Sequence, residues 1–310
     1  MSHVENAQAL KNGALIAFPT ETVYGLGADA SNEKAVARIY EVKGRPQDHP
    51  LILHIASLDD IAYWATDVSE YAMALANKYW PGPMTLIFKR SENAKDFVTG
   101  GQSTVGLRIP NHPLALELLQ ECKKIGVHAI AAPSANRFGH VSPTTAAAVK
   151  EEVSAYLSPQ DLILDGGPAQ VGLESTIIDC TGGAPKILRP GAITQVMIEE
   201  ATGLKVITDN NSQIRVSGSL EKHYAPNAKI ILDVEAIAGQ GFIAPADVPT
   251  PPGVIRLASP ANTDEYARTL YSALRDGDAQ GLETIAIIQP SGDGLAIAIR
   301  DRLMRASKGR

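Results

Sequence analysis

Short apolar runs alternate with amphipathic stretches along most of this chain. Ala14–Phe18 is apolar and stops at Pro19, and Leu51–Ile55, Thr85–Phe88, Val105–Ile109 and Ala129–Ala132 repeat the pattern of buried strands. Leu162–Asp165, Ser175–Asp179 and Lys186–Leu188 extend the series. Between them the apolar period lengthens. Asn32 stands where it can cap a helix running to about Val42, with Ala35, Val36, Ile39 and Tyr40 on one face, and Gly44 and Pro46 end it. Ser69–Trp80, closed by Pro81-Gly82-Pro83, reads as a helix, as do Pro113–Lys124 and a stretch near Thr194–Thr202. The alternation predicts a many-stranded amino-terminal α/β unit over residues 1–205.

A linker is expected over 206–227, marked by the polar run Asp209-Asn210-Asn211-Ser212-Gln213. The alternation then restarts. Strands at Lys229–Asp233, Val254–Leu257 and Thr284–Ile288, with helices at Asp264–Arg275 and about Leu295–Ala306, predict a smaller parallel three-layer α/β unit over 228–310. Pro245–Pro252 reads as its surface loop.

Composition narrows the function. The chain has 310 residues, 45% hydrophobic and 20% charged, as ordinary water-soluble domains do. Its net charge of −6 argues against sequence-independent nucleic-acid binding, which depends on many phosphate contacts. An acidic average does not exclude an anionic substrate, because a site needs only a few converging cations. Two cysteines, Cys122 and Cys180, without a CxxC, fit buried reduced thiols better than a disulfide framework or metal cluster. Met1–Asn12 is polar and does not read as a signal peptide, and no apolar run approaches the roughly 20 residues that span a bilayer. A cytoplasmic enzyme is expected.

The unusual residues fall in loops after strands, where open α/β sheets place ligands. Pro19–Gly27 brings two threonines and a glutamate to a strand end, with glycines that permit close backbone approach; taken alone it could be a structural turn. Lys43 and Arg45 leave a helix end together, suiting phosphates or simply the helix dipole. Arg108 sits inside an apolar strand, so it must face away from the core or pair with an anion, and a nearby Asp or Glu could be that anion. Ser134 and Asn136 follow another strand, while Ser142 or Thr144 could cap the next helix. Arg189 adds a cation beside a turn. No Walker loop, GxGxxG, HExxH or GxSxG is present. The inventory of cations and hydroxyls suits several anionic groups rather than covalent catalysis.

Taken in order, these segments resemble the Sua5/YrdC/YciO family, in its two-domain Sua5 form. The resemblance rests on PTETVYGLGADA at 19–30, KGRPQDHPLILH at 43–54, WPGPMT at 80–85, GLRIPNHP at 106–113, APSAN at 132–136, SPT at 142–144, GLESTI at 172–177 and LRPG at 188–191. HYAP at 223–226 and GDGLAIAIRDRLMRA at 292–306 match the linker end and the tail of Sua5-type members. The resemblance implies a YrdC-like twisted mixed-sheet domain followed by a smaller Rossmann-like three-layer domain. It implies a nucleotidyltransferase that joins L-threonine, bicarbonate and ATP into threonylcarbamoyl-AMP and pyrophosphate, the first step of tRNA t6A modification.

Carried over by motif, Thr22, His54, Arg108, the Ala132 backbone and Ser175 would surround L-threonine. Lys43, Arg45, His49, Thr104, Ser134, Asn136, Ser142 and Arg189 would face ATP, Lys43 and Arg45 being the catalytic cations. His223 would reach the nucleotide if the linker folds over the pocket. Mg²⁺ is expected with ATP, without named protein ligands. The implied partner is a downstream complex that moves the group to tRNA; direct tRNA binding stays open. Two other readings are an RNA-binding module, which the net charge disfavours, and a hydrogenase-maturation carbamoyl transferase, whose zinc-finger and acylphosphatase segments have no room here. The chain departs from the family at Ser217-Gly218-Ser219-Leu220, where many members read SPGM, and at Ala296 and Asp301, where glycine and asparagine are common. Loss of the proline predicts a less rigid linker.

Overall fold

A computed structural model describes residues 2–207, 213–218 and 223–309. Part of the expected linker, Asp209 to Ser212 together with Ser219 and Leu220, lies outside the described residues.

The amino-terminal unit is built on ten strands: β1 (Ile16–Phe18), β2 (Gly25–Asp29), β3 (Ile52–His54), β4 (Ala65–Thr66), β5 (Met84–Arg90), β6 (Thr104–Arg108), β7 (Ile130–Ala131), β8 (Leu162–Ile163), β9 (Thr176–Asp179) and β10 (Lys186–Arg189). They form one mixed sheet in the order β10-β9-β5-β6-β3-β7-β2-β1-β8, with β4 on the far end of β5. Helices α1 (His3–Lys11), α2 (Glu33–Lys43), α3 (Ile61–Trp64), α4 (Glu70–Tyr79), α5 (Asp96–Thr99), α6 (Pro113–Lys124), α7 (Ala146–Val153) and α8 (Gln195–Thr202) flank it. One apolar cluster joins Leu26, Leu53, Leu86 and Leu107 of the sheet to Val36 and Ile39 of α2 and Leu75 of α4. A second, on the other side, joins Ile16, Phe18 and Ile130 to Leu10 of α1 and Leu118 of α6.

Local signals set the helix ends. The Asn32 side chain accepts from the N–H of Ala35 at 3.1 Å, and Gly44 closes α2 at φ 61°. The cap of α7 is Thr145, which accepts from the N–H of Ala148 at 3.2 Å, so neither Ser142 nor Thr144 holds that place. α1 was not expected from its apolar pattern. A reciprocal capping box starts it: Ser2 accepts from the N–H of Glu5, and Glu5 accepts from the N–H of Ser2. β2 was read as part of a loop. Its Gly25 and Gly27 hide the strand in the sequence, yet packing requires Gly27: a Cβ there would lie 2.5 Å from Ile130 Cγ2.

The carboxy-terminal unit has strands β11 (Lys229–Leu232), β12 (Gly241–Ile243), β13 (Ile255–Ala258) and β14 (Thr284–Ile287), all parallel, in the order β11-β14-β12-β13. β12, three residues long and starting at Gly241 directly after the turn at Gly239-Gln240, is one strand more than the pattern predicted. Helices α9 (Thr263–Ala279) and α10 (Leu295–Ala306) pack on each other and on the face bearing Ile230, Ile243 and Ile285. The opposite face, with Phe242 and Ala286, is covered by loop residues Ala236, Val248 and Val254, so loops rather than helices make the third layer.

The units share a core. Val23, Val141 and Leu173 of the first lie in one cluster with Tyr266, Leu270 and Tyr271 of α9. Among the described residues no helix is long and apolar enough to cross a membrane.

Candidate active site

Strand ends of the large sheet and the segments bordering it line a cleft whose walls carry Thr22, Arg45, His54, Arg108, Ser134 and Arg189. Residues 19–24 turn between β1 and β2. There Thr20 Oγ1 donates to Val23 O at 2.6 Å and accepts from the N–H groups of Thr22 and Val23 at 3.2 Å. The turn therefore carries its own polar frame and presents Thr22, whose hydroxyl shares a hydrogen bond with Thr20 Oγ1 at 2.8 Å.

Arg108 ends β6 and is 4% exposed. Its Nη2 lies 2.8 Å from Glu21 Oε1 and donates to Thr22 Oγ1 at 2.9 Å. Glu21 is thus the acidic partner that the sequence left open, itself fixed by Asn111 N–H at 2.9 Å. Arg108 Nε stays buried without a protein acceptor. His54, opposite Arg108 in the parallel β3–β6 register, packs edge-on against Phe18 at 5.6 Å. Burial, then the Arg108 charge, push its pKa down to about 3, so the ring is neutral.

The other wall holds two further guanidiniums. Arg189 ends β10. It donates through Nε and Nη2 to Ser175 O at 3.1 and 2.9 Å, through Nη2 to Ser175 Oγ at 3.1 Å, and through Nη1 to Ser217 O at 2.8 Å. Ser175 Oγ shares a hydrogen bond with Thr85 Oγ1 at 2.8 Å. Arg45 donates through Nη2 to Pro50 O at 3.0 Å and Ser217 Oγ at 3.1 Å, and its Nε is buried without a partner. Burial lowers its pKa to about 10, which leaves it charged at neutral pH. Among the described residues no carboxylate forms an ion pair with Arg45 or Arg189.

Residues 213–218 lie across this wall. Val216 packs on Ile87 and Ile177, and Arg215 exchanges hydrogen bonds with the Gln102 side chain at 2.7 and 3.0 Å. Ser217, expected in a looser linker, is held by both arginines. Gly218 follows at φ +78°, where a Cβ would come within 2.0 Å of Tyr224 Oη. His223 and Tyr224 complete the cleft. Burial first holds His223 at a pKa of about 3. Its ring meets Phe138 at 6.2 Å and Tyr224 at 4.1 Å.

Every residue expected around L-threonine lines the cleft, as do Arg45, Ser134, Arg189 and His223. The other expected residues do not line it. Lys43 is buried behind the wall, its Nζ donating to the backbone carbonyls of Ser134 (2.5 Å) and Asn136. Asn136 turns its amide to Arg137 O and His140 O at 2.7 and 2.9 Å. Ser142 is buried beside Glu174. His49 packs on the far edge of Phe138. Thr104 lies two pleats from Arg108, in a smaller neighbouring cavity roofed by Ile214–Val216. Conversely, Glu21, Glu174, Ser217 and Tyr224 border the site without having been assigned to it, although each stood inside or beside a quoted segment.

The histidines make stability pH-dependent. Both have folded-state pKa values of about 3, below the ordinary 6.5, so the unfolded chain takes up protons first. Stability is therefore expected to decline as pH falls below about 6.5, by about 1 kcal/mol per pH unit for each histidine. Glu174, held at about 2, adds its loss only below about 4.5. Thermal melts from pH 7 to 5 check this; a flat melting temperature, or an equal slope in His54→Asn/His223→Asn, contradicts it.

A chain of two α/β units, with a buried cleft carrying three guanidiniums, neutral imidazoles and hydroxyls, defines a protein that binds more than one anionic group. The comparisons narrow the class. Residues 8–191 match the Sua5, YciO and YrdC family described as telomere recombination, and residues 193–308 match the threonylcarbamoyl-AMP synthase carboxy-terminal domain. The chain belongs to this family, in its two-domain form. Threonylcarbamoyl-AMP synthase of Pyrococcus abyssi is 38% identical, over 96% of this chain and 92% of that protein. That of Bacillus subtilis is 37% identical, over 98% and 92%. The crystal structure of P. abyssi Sua5 complexed with L-threonine superposes with a TM-score of 0.87 at 36% identity, over 99% of this chain and 94% of that one.

Proposed function

We propose that this chain is an L-threonylcarbamoyladenylate synthase, converting L-threonine, bicarbonate and ATP to threonylcarbamoyl-AMP, pyrophosphate and water. The observation that carries the reading is the pair Arg45 and Arg189, two buried cations in one cleft without paired carboxylates among the described residues. Buried guanidiniums in that state call for an anion. The near full-length likeness to named synthases supports the same reaction.

In this reading Thr22, His54, Arg108, the Ala132 backbone and Ser175 hold L-threonine, whose carboxylate takes Arg108. The neutral His54 adds no second charge there. The amine attacks bicarbonate, giving a carbamate and releasing water. A carbamate oxygen then attacks the α-phosphorus of ATP, the bond to the β-phosphate oxygen breaks, and pyrophosphate leaves. Arg45 and Arg189 stabilise the charge that builds on the phosphates, with Ser134 and His223 beside them. Lys43 acts from behind by fixing the 134–136 backbone, and Asn136 and Ser142 brace the same wall. Mg²⁺ enters as the ATP complex. Among the described residues no three His, Cys, Asp or Glu side chains converge on a point, so no protein ligand is assigned to it. We place the catalytic unit at 1–205, the linker at 206–227 and the second unit at 228–310. The product passes to a transferase that modifies tRNA, in the cytoplasm.

The test is pyrophosphate release from ATP with the product identified by mass. Release must require both L-threonine and bicarbonate; release indifferent to either overturns the reading.

A further inference from the structure

Glu174 belongs to the cleft wall but is held from outside it. Its Oε2 accepts from Tyr271 Oη on α9 at 2.9 Å and from Arg302 Nε on α10 at 2.9 Å. Its Oε1 is buried without a hydrogen bond. Arg302 is fully buried and does not line the cleft. Besides Glu174 it donates through Nη2 to Pro190 O at 3.0 Å, directly after Arg189, and through Nη1 to Asp301 at 2.6 Å. Its guanidinium centre lies 5.3 Å from the Tyr224 ring centre. One side chain of the second unit thus touches the cleft's carboxylate, the residue after one of its cations, and the aromatic residue beside His223.

The electrostatics give this contact a purpose. A carboxylate bordering a cleft repels any phosphate that enters, and burial strengthens the repulsion because water cannot screen it. A cation behind the carboxylate cancels that field without blocking the cleft. We propose that Arg302 is a positioning residue for the nucleotide: by neutralising and anchoring Glu174 from the carboxy-terminal unit, it makes the cleft admit a polyphosphate. The second unit thereby sets nucleotide affinity while leaving the amino-acid end alone. The inference rests on the nucleotide reading of the cleft.

Besides Arg302, the groups facing Glu174 are Tyr271 of α9, Arg189 of β10, and Ser142, His223 and Tyr224 of the segments around it. Arg302 is the leading influence that keeps Glu174 ionised against its burial. Removing it lets the Glu174 carboxyl take up a proton more readily.

The experiment measures equilibrium binding of α,β-methylene-ATP and, separately, of L-threonine, in full-length Arg302→Met, Arg302→Lys and Arg302→Met/Glu174→Gln. Arg302→Met is expected to weaken the analogue at least about tenfold and leave threonine within about threefold. Its analogue affinity should recover as pH is lowered from 8 to 6, an effect a packing defect does not produce. Glu174→Gln in that background, and Arg302→Lys alone, should each bind the analogue within about threefold of the parent. Unchanged binding in Arg302→Met overturns the proposal, as does failure of Glu174→Gln to restore it. If Arg302→Met does not fold, the other two variants decide: weak analogue binding in either is the overturning result. A parent protein that does not bind the analogue defeats the nucleotide reading instead.

Discussion

Arg45→Ala is expected to lower kcat/KM for threonine-dependent pyrophosphate release by roughly 10²- to 10³-fold, the scale of losing one fixed charge-stabilising group. The fold should survive, because among the described residues the Arg45 side chain donates only to Pro50 O and Ser217 Oγ, and its removal orphans no buried carboxylate there. Arg45→Lys keeps the charge but loses the fork, and an intermediate rate is expected. Lys43→Ala serves as the contrast. Lys43 ties down the carbonyls of Ser134 and Asn136, so its loss should reduce thermal stability as well as turnover. Steady-state rates measured beside melting curves separate the two lysine and arginine roles. An Arg45→Ala protein that is folded and turns over like the parent removes the assignment.

Gly218→Ala should cost about 10²-fold in turnover, the order of effect produced by a displacement of about an ångström near the reacting groups. Two causes act together. The added Cβ would stand 2.0 Å from Tyr224 Oη and 3.2 Å from Arg189 Nη1, and φ +78° disfavours any side chain. Tyr224 cannot yield easily. It is 1% exposed, at φ 62°, with its ring near Tyr271 and Arg302. The displaced partner is therefore the 213–218 segment, which lies at the surface of the large sheet and can shift without unfolding the core. Turnover within threefold of the parent, at unchanged melting temperature, would show that the segment's seating does not matter.

Legibility in the sequence followed the physics of each element. Strands that carry β-branched and other apolar residues in a short run, such as Thr104–Arg108 and Thr284–Ile287, were readable from composition and length. β2 was not, because Gly-Leu-Gly-Ala-Asp lacks strand formers and its glycines answer to contacts with β1 and β7. β12 was missed since three residues carry no period. α1 was missed because its signal lies in its Ser2/Glu5 capping box and not in a hydrophobic face. In the site, the cations and hydroxyls were legible because their chemistry is rare inside apolar runs. The partners were not: Glu21 meets Arg108 across 87 positions and Glu174 meets Arg302 across 128, with only the fold to join them. Nor could sequence say that Lys43 points at backbone carbonyls while Arg45, two residues on, lines the cleft.

Ser217 offers its carbonyl to Arg189 and its hydroxyl to Arg45, the same oxygen chemistry a phosphate would bring. It is therefore a tethered competitor. Being part of the chain, it acts at a high effective concentration, which a nucleotide, in the proposed reading, outbids by offering more charge and more acceptors. The cations are kept hydrogen-bonded and correctly aimed while no anion is present. In the proposed reading a neutral ligand gains little by displacing Ser217 and a polyanion gains much, so the same two contacts that aim the arginines also favour polyanions over neutral ligands.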